Sequence, residues 1–358
     1  MMIGNLPEIS FRKLDSVSPS QFTSMKNCSY KTLLAHALKK PLLPVSSNAY
    51  FGTVMHKMIE LITDGSIPND EIFDGVFNAE VQKMEVSLKA GGFNSLLPLL
   101  GNVKDLAVKK VLLKKYLVNK GGGTNSKPSE VKFLTEQTYK TKDGRIKGKI
   151  DLVFENGSFT EIVDFKTGSL SVEMLDDDGE KIFELKDEYK EQLKLYAYLY
   201  FETSGKFPTK LSLSGLGLQK QTVSFSEEEC GRLATEALGL LDRINTQVET
   251  SKFSGNPTHD NCRYCLYRPG CIFYRKAIGE LNIGNDLSGV LTDAVKYQNG
   301  NVTAVLTVPA GKISITGFPE RMLDYFKDNM GKVISIFNLR KSASDTLYAV
   351  SKTTMIYE

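Results

Sequence analysis

A chain of 358 residues is long for one domain and comfortable for two. Hydrophobic residues at 41% and charged residues at 24% exclude a disordered or low-complexity chain and fit a globular protein with its own core. A net charge of +3 permits a nucleic-acid partner without arguing for one. No apolar run reaches membrane-spanning length and the N-terminal stretch lacks a hydrophobic signal core, so an intracellular, cytoplasmic protein is expected, with no membrane partner.

In chain order, residues 18–39 read as a helix with Ser18 as N-cap and Pro19 at the first helical position, closed by Pro41 and Pro44. Cys28 lies in this segment and on its own reads as a small buried hydrophobe. Residues 49–62 carry Val54, Met55, Met58, Ile59 and Ile62 at helical spacing, with His56 among them and Gly52 four residues before it. Residues 67–119 predict two or more helices. The run Lys109, Lys110, Lys114 and Lys115 reads as a solvated helix face. Gly121-Gly122-Gly123 is a flexible joint.

Residues 131–139 predict a strand, turned by Asp143-Gly144 into residues 145–154. Asn156-Gly157 then forms a hairpin signal leading into residues 158–165. This hairpin sets Asp151 near Asp164 and Lys166, and alternation along a strand gives Asp164 and Lys166 one face, with Phe165 on the other. Two carboxylates suit a divalent cation, and an ammonium beside them can steady a hydroxide or a developing phosphate charge. Glu136 is a further acidic candidate, or an exposed strand residue. Residues 186–202 predict a helix with Gln192 and Tyr196 four apart on one face, a pattern that also suits simple core packing. Two more strands (210–218, 220–225) and a helix (226–249) follow, the helix opening with a Ser226–Glu229 capping box and carrying a structural Cys230. Cys262, Cys265 and Cys271 then form a three-thiolate cluster that needs a fourth ligand, supplied by Cys28 or, in a zinc site, by His259.

Asp151, Asp164-Phe165-Lys166, the G-x-x-x-H at Gly52–His56 and the Q-x-x-x-Y at Gln192–Tyr196 together resemble the PD-(D/E)XK nuclease superfamily, in its RecB-like branch. A distant cysteine followed by C-x2-C-x5-C is similar to AddB-type and CRISPR-adaptation nucleases. The resemblance spans residues 18–275 and implies an α+β fold: an α/β/α core around a mixed sheet, with a helical insertion at about 63–125. It implies a metal-dependent DNA nuclease, an exonuclease on single-stranded DNA or DNA ends in recombination, repair or phage and CRISPR DNA processing. In it His56, Asp151, Asp164 and the carbonyl of Phe165 hold Mg2+ or Mn2+, and Lys166, Gln192 and Tyr196 serve the reacting phosphate. It also implies that Cys28, Cys262, Cys265 and Cys271 hold a [4Fe-4S] cluster, with Zn2+ as the alternative. A non-cleaving nucleic-acid-binding subunit of a recombination or repair complex is the rival expectation. No P-loop is found, so unwinding would come from a helicase or recombination partner.

Residues 1–280 are expected to form the nuclease domain and 285–358 a second one. Three strands (288–297, 302–308, 311–317), a helix (319–330) and two strands (332–339, 346–357) follow the order of an OB-fold, an all-β barrel. Phe337, Arg340, Lys341 and Tyr348 are candidates for single-stranded nucleic acid, or else the two aromatics fill the barrel's own core or dock on the nuclease.

Overall fold

The computed structural model describes residues 2–120, 131–175, 181–215, 220–281, 285–342, 344 and 346–358. The proposed joint at Gly121–Gly123 lies outside the described residues. The elements are β1 (Met2–Gly4), α1 (Pro19–Asn27), α2 (Ser29–Leu38), α3 (Ser47–Thr63), α4 (Asp70–Ala90), α5 (Leu106–Lys120), β2 (Val131–Lys140), β3 (Lys147–Asn156) and β4 (Phe159–Lys166). They continue with β5 (Ser171–Leu175), β6 (Lys181–Leu185), α6 (Asp187–Ser204), β7 (Lys210–Gly215), β8 (Lys220–Val223), α7 (Glu227–Thr250), α8 (His259–Arg263) and α9 (Ile272–Ala277). The last are β9 (Leu287–Lys296), β10 (Asn301–Val308), β11 (Gly311–Pro319), α10 (Met322–Asp328), β12 (Val333–Phe337), β13 (Arg340–Lys341), β14 (Leu347–Ala349) and β15 (Met355–Tyr357).

The fold is mixed α+β. One sheet runs β2-β3-β4-β7-β8, antiparallel except where β7 returns parallel to β4 after the α6 crossover. Alternation gives the sheet two apolar faces. Ile162, Leu211 and Leu213 pack with Phe22 and Met25 of α1, Leu193 and Leu199 of α6, and Leu233 and Leu241 of α7. Leu152, Val163 and Phe165 pack on the other side with α3, α4 and Leu113 of α5. The sheet is thus a middle layer between two sets of helices, with β4 covered on both faces, as a strand of this apolar composition requires. Lys110 and Lys114 of α5 pair with Asp74 and Asp70 and lie over the rings of Phe77 and Phe73, consistent with a solvated helix face.

Three expectations need correction. The single helix over 18–39 is two, because Cys28 is extended (φ −159°, ψ 100°) and its amide closes α1 on Ser24. Ser18 does not cap α1 with its side chain; its hydroxyl lies 3.2 Å from that of Ser20. A hairpin, β5–β6, also interrupts the path from β4 to α6; Val172 and Met174 alternate with polar residues there, a strand signal that the expected elements omit.

Residues 285–358, with β1 added at one edge, form a second sheet, ordered β1-β15-β12-β9-β10-β11-β14-β13, in which β14 runs parallel to β11. Phe337 and Tyr348, offered above as nucleic-acid contacts, are core residues: Phe337 is fully buried and Tyr348 packs with Ile315 and Leu339. Arg340 spends its guanidinium on the carbonyl of Val350, and Lys341 pairs through its backbone with Tyr348. The strand expected over 346–357 is two short ones, β14 and β15, on different neighbours.

A buried ion pair joins this unit to the cysteine segment. Arg268, 3% exposed, donates to Asp286 Oδ2 at 2.6 Å and to Asn338 Oδ1 at 2.7 Å. Its remaining donors take the carbonyls of Cys262, Arg263 and Cys265. Asp286 also accepts from Tyr274 and from the amide of Asn338. Removing one partner leaves the other charge buried and uncompensated. Asp286→Ala is therefore expected to cost about 3–5 kcal/mol, read as a lowered midpoint in urea denaturation.

Candidate active site

Three strands bring the acidic residues together. The β3–β4 register pairs Leu152 with Val163, so one step further along the ladder Asp151 stands opposite Asp164. The β2–β3 register, running from Thr135↔Leu152 to Gln137↔Ile150, brings Glu136 alongside Asp151 in the same way. Glu136 is held at positive φ (52°), and its carboxylate pairs with Lys149, two residues before Asp151. The hairpin that makes this possible turns on Gly157-Ser158, with Gly157 in the left-handed conformation (φ 59°); Asn156, expected in the turn, is instead the last paired residue of β3, opposite Phe159.

Asp164 is only 2% exposed. Its Oδ1 accepts from Gln192 Nε2 at 3.1 Å, and its Oδ2 lies 2.8 Å from the ammonium of Lys166. Among the described residues Lys166 is the one close partner of this buried oxygen, and no second donor reaches it. Lys166 Nζ donates to Gln192 Oε1 at 2.9 Å and lies 4.7 Å from the centre of the Tyr189 ring. Gln192 thus uses both ends of its amide, and its Nε2 also lies 3.1 Å from the hydroxyl of Tyr196. Asp151 takes a different partner: the amide of Phe165 donates to its Oδ2 at 2.8 Å, while the Phe165 ring packs edge-on against Tyr116.

Electrostatics follow from burial. Desolvation pushes the carboxyls of Asp151 and Asp164 above the ordinary range. Glu136 adds to the rise at Asp151 and the neighbouring Asp151 adds to it at Asp164, while Lys166 opposes both. Burial holds His56 below the usual imidazole value, which favours the neutral ring that can donate a lone pair, and the charges of Asp164, Lys166 and Glu136 all act on it. Two close carboxylates raised by burial and a neutral imidazole form a donor set that suits a hard divalent cation. Among the described residues, no three His, Cys, Asp and Glu side chains are gathered as a finished ligand cage. Asp164 instead makes its contacts with Lys166 and Gln192.

Two close approaches hold this arrangement. A Cβ on Gly148 would meet Pro19 Cδ at 2.7 Å and Tyr196 Cε1 at 2.9 Å, so this glycine lets α1 and α6 close over β3. A Cβ on Gly52, one turn before His56, would meet Thr167 Oγ1 at 2.8 Å. Nothing in the sequence pattern singled out Gly148, Tyr189 or Lys149; only proximity to Asp151 could have drawn attention to the first and last.

The cysteines converge. Cys28, Cys262, Cys265 and Cys271 line one small cavity. Cys28 reaches it because it occupies the break between α1 and α2. His259 is exposed and faces Asp260, so it does not take the place of Cys28. Burial pushes the thiols of Cys262 and Cys271 up to about 12 and about 11, and raises that of Cys265. Thiols so placed are inert unless a bound cation stabilises the thiolates. Cys230, in α7, belongs to the core.

Compared with known proteins, residues 16–272 match the family model described as the PD-(D/E)XK nuclease superfamily. No curated protein matches the chain. Among solved structures, the crystal structure of a "putative exonuclease" from Eubacterium rectale is similar at 11% identity, covering 73% of this chain and 88% of that one, with a TM-score of 0.44.

The Gly52 contact makes a direct prediction. Gly52→Ala is expected to destabilise the chain by about 1–3 kcal/mol through overpacking, and Thr167→Ala in the same chain to recover most of that loss, both read by thermal or urea unfolding.

Proposed function

The chain belongs to the PD-(D/E)XK nuclease superfamily, and from that premise we propose that it is a Mg2+- or Mn2+-dependent deoxyribonuclease of the RecB-like branch, acting as an exonuclease on single-stranded DNA or DNA ends. The observation that carries this reading is Asp164: a buried carboxylate touched by Lys166 and Gln192 and opposite Asp151.

In this reading His56, Asp151 and Asp164, with the carbonyl of Phe165, would hold the cation. When bound, it supplies charge neutralisation at the scissile phosphate and makes a nearby water more acidic. The chain's own groups do the rest. Lys166, oriented by Gln192 Oε1 and Asp164, presents an ammonium where an attacking hydroxide or a developing phosphate charge needs it. Gln192 positions both Lys166 and Asp164, and Tyr196 steadies Gln192. The helices over both faces of the sheet exclude water from Asp164 and strengthen each of these interactions. A 5′-phosphate product accords with the resemblance described above.

The four cysteines support a [4Fe-4S] cluster that staples α2 to the 262–271 loop, with Zn2+ as the other candidate for the same thiolates. Residues 1–280 would be the nuclease domain, with the insertion at about 63–125, and 285–358 an OB-like unit. The strand neighbours β12-β9-β10-β11-β14 support the latter, as do the position of α10 between β11 and β12 and β13 following directly on β12. We read the protein as intracellular and dependent on a helicase or recombination partner for unwinding.

Asp164→Ala and Lys166→Ala are each expected to lower metal-dependent cleavage of end-labelled DNA by about a hundredfold or more, and a chelator to abolish it. Full cleavage by either variant removes the mechanism. DNA binding without cleavage by the native chain would identify a non-cleaving subunit instead. Cys265→Ser is expected to lose the bound metal of the thiolates. In the native protein purified without oxygen, iron with inorganic sulfide and a brown colour supports the cluster, and stoichiometric zinc in a colourless sample supports the single ion.

A further inference from the structure

One face of α1 and α2 is polar in a way that neither the core nor the active-site residues explain. Ser20, Ser24, Asn27 and Lys31 recur at spacings of four, three and four, a helical stripe that continues past the break at Cys28. All four line a cavity of about 360 Å3 whose other walls include Lys166 and Gln192. This is the size of a site for a single nucleotide-sized group. Lys31 also lines the cysteine cavity, and its charge acts on Cys265. The stripe therefore leads from the Lys166 ammonium to the thiolates.

Three of the four side chains along it are unengaged. Thr23, on the same wall, donates to Glu191, and Ser20 is close to Ser18. Among the described residues, Ser24, Asn27 and Lys31 have no side-chain hydrogen bond or ion pair, although each carries a donor and Lys31 is half-buried. The acidic side chain on the wall is Glu188, exposed in the first turn of α6. A hydroxyl, an amide and an ammonium spread along a trough, rather than converging on a point, suit successive oxygens of a sugar–phosphate backbone.

We infer that this trough is a subsite for the backbone of a single nucleic-acid strand flanking the reacting phosphate, with Lys31 as its charged phosphate contact and Ser24 and Asn27 as neutral donors. The inference rests on the nuclease reading for the location of the reacting phosphate, but binding at the trough does not require cleavage.

The test is fluorescence anisotropy of labelled single-stranded DNA on the full chain in the presence of chelator, at several salt concentrations. Lys31→Ala is expected to weaken binding of every sequence alike and to reduce the log–log salt slope by about 0.7, one single-strand phosphate. Lys31→Arg should restore the slope. The double variant Ser24→Ala/Asn27→Ala should weaken binding severalfold with the slope unchanged, since no charge is lost. Metal content and unfolding midpoint are measured alongside; if Lys31→Ala sheds its thiolate metal, the Ser24/Asn27 pair decides. Native affinity and slope in Lys31→Ala, or native affinity in the Ser24/Asn27 pair, overturn the subsite. Cleavage by the native chain with no such shifts removes the subsite and leaves the nuclease. The expected shifts without cleavage remove the nuclease and leave the subsite.

Discussion

A negative charge taken out of water governs the centre of this molecule. Asp164 lies on a strand covered by helices on both faces, where an isolated carboxylate would cost several kcal/mol, roughly the effective penalty for a buried ion. Lys166 returns part of that cost as Coulomb attraction, and Gln192 returns more through a hydrogen bond. Neither partner is free to move. Lys166 is shared with Gln192, and Gln192 is shared with Tyr196. The requirement to satisfy one carboxylate thus dictates where β4, α6 and their side chains sit, and the small glycine at 148 allows α1 and α6 to close over them.

A second buried pair does comparable work at the other end. Arg268 ties the carbonyls of the cysteine loop to Asp286 and Asn338 of the C-terminal sheet. Around it Tyr30 and Leu34 of α2, Cys262, Cys271 and Tyr274 of the cysteine segment, and Phe337 and Met355 of the C-terminal sheet share one apolar cluster. The cysteine cavity therefore sits at a three-way junction, and the second sheet is docked through the loop that carries Cys262, Cys265 and Cys271. A guanidinium suits this role because its planar donors reach carbonyl and carboxylate partners at once.

Much of this was legible in the residues. The glycine at 157 and the D-x-K triplet pointed to a hairpin that brings Asp151 near Asp164, but the turn falls on Gly157-Ser158, one residue later than Asn156-Gly157, and it is this shift that sets Asp151 across from Asp164 rather than Ile162. Gln192 and Tyr196 are neighbours on α6 because four residues make about one turn. The capping box at Ser226 forms as its spacing requires. What failed to show depended on long-range packing. The break at Cys28 has no proline or glycine to announce it. The burial of Phe337 and Tyr348 depends on which face of a short strand meets the core, and in strands of two to five residues alternation is too brief to tell. The Arg268–Asp286 pair joins residues 18 apart with no pattern between them.

One pairing bears on how the chain acquires its structure. β1 lies parallel to β15, with Ile3 opposite Ile356, so the first strand is the outermost of a sheet built from the last residues. During synthesis β1 leaves the ribosome long before its neighbour exists, and the segment behind it carries Cys28, whose companions lie more than two hundred residues downstream. The helices and the five-stranded layer can collapse as their own residues emerge, and Leu14 and Val17 can join them, but β1 has no neighbour to pair with until Met355–Tyr357 have been made. A ribosome stalled before β15 would display a folded middle with β1 still unpaired.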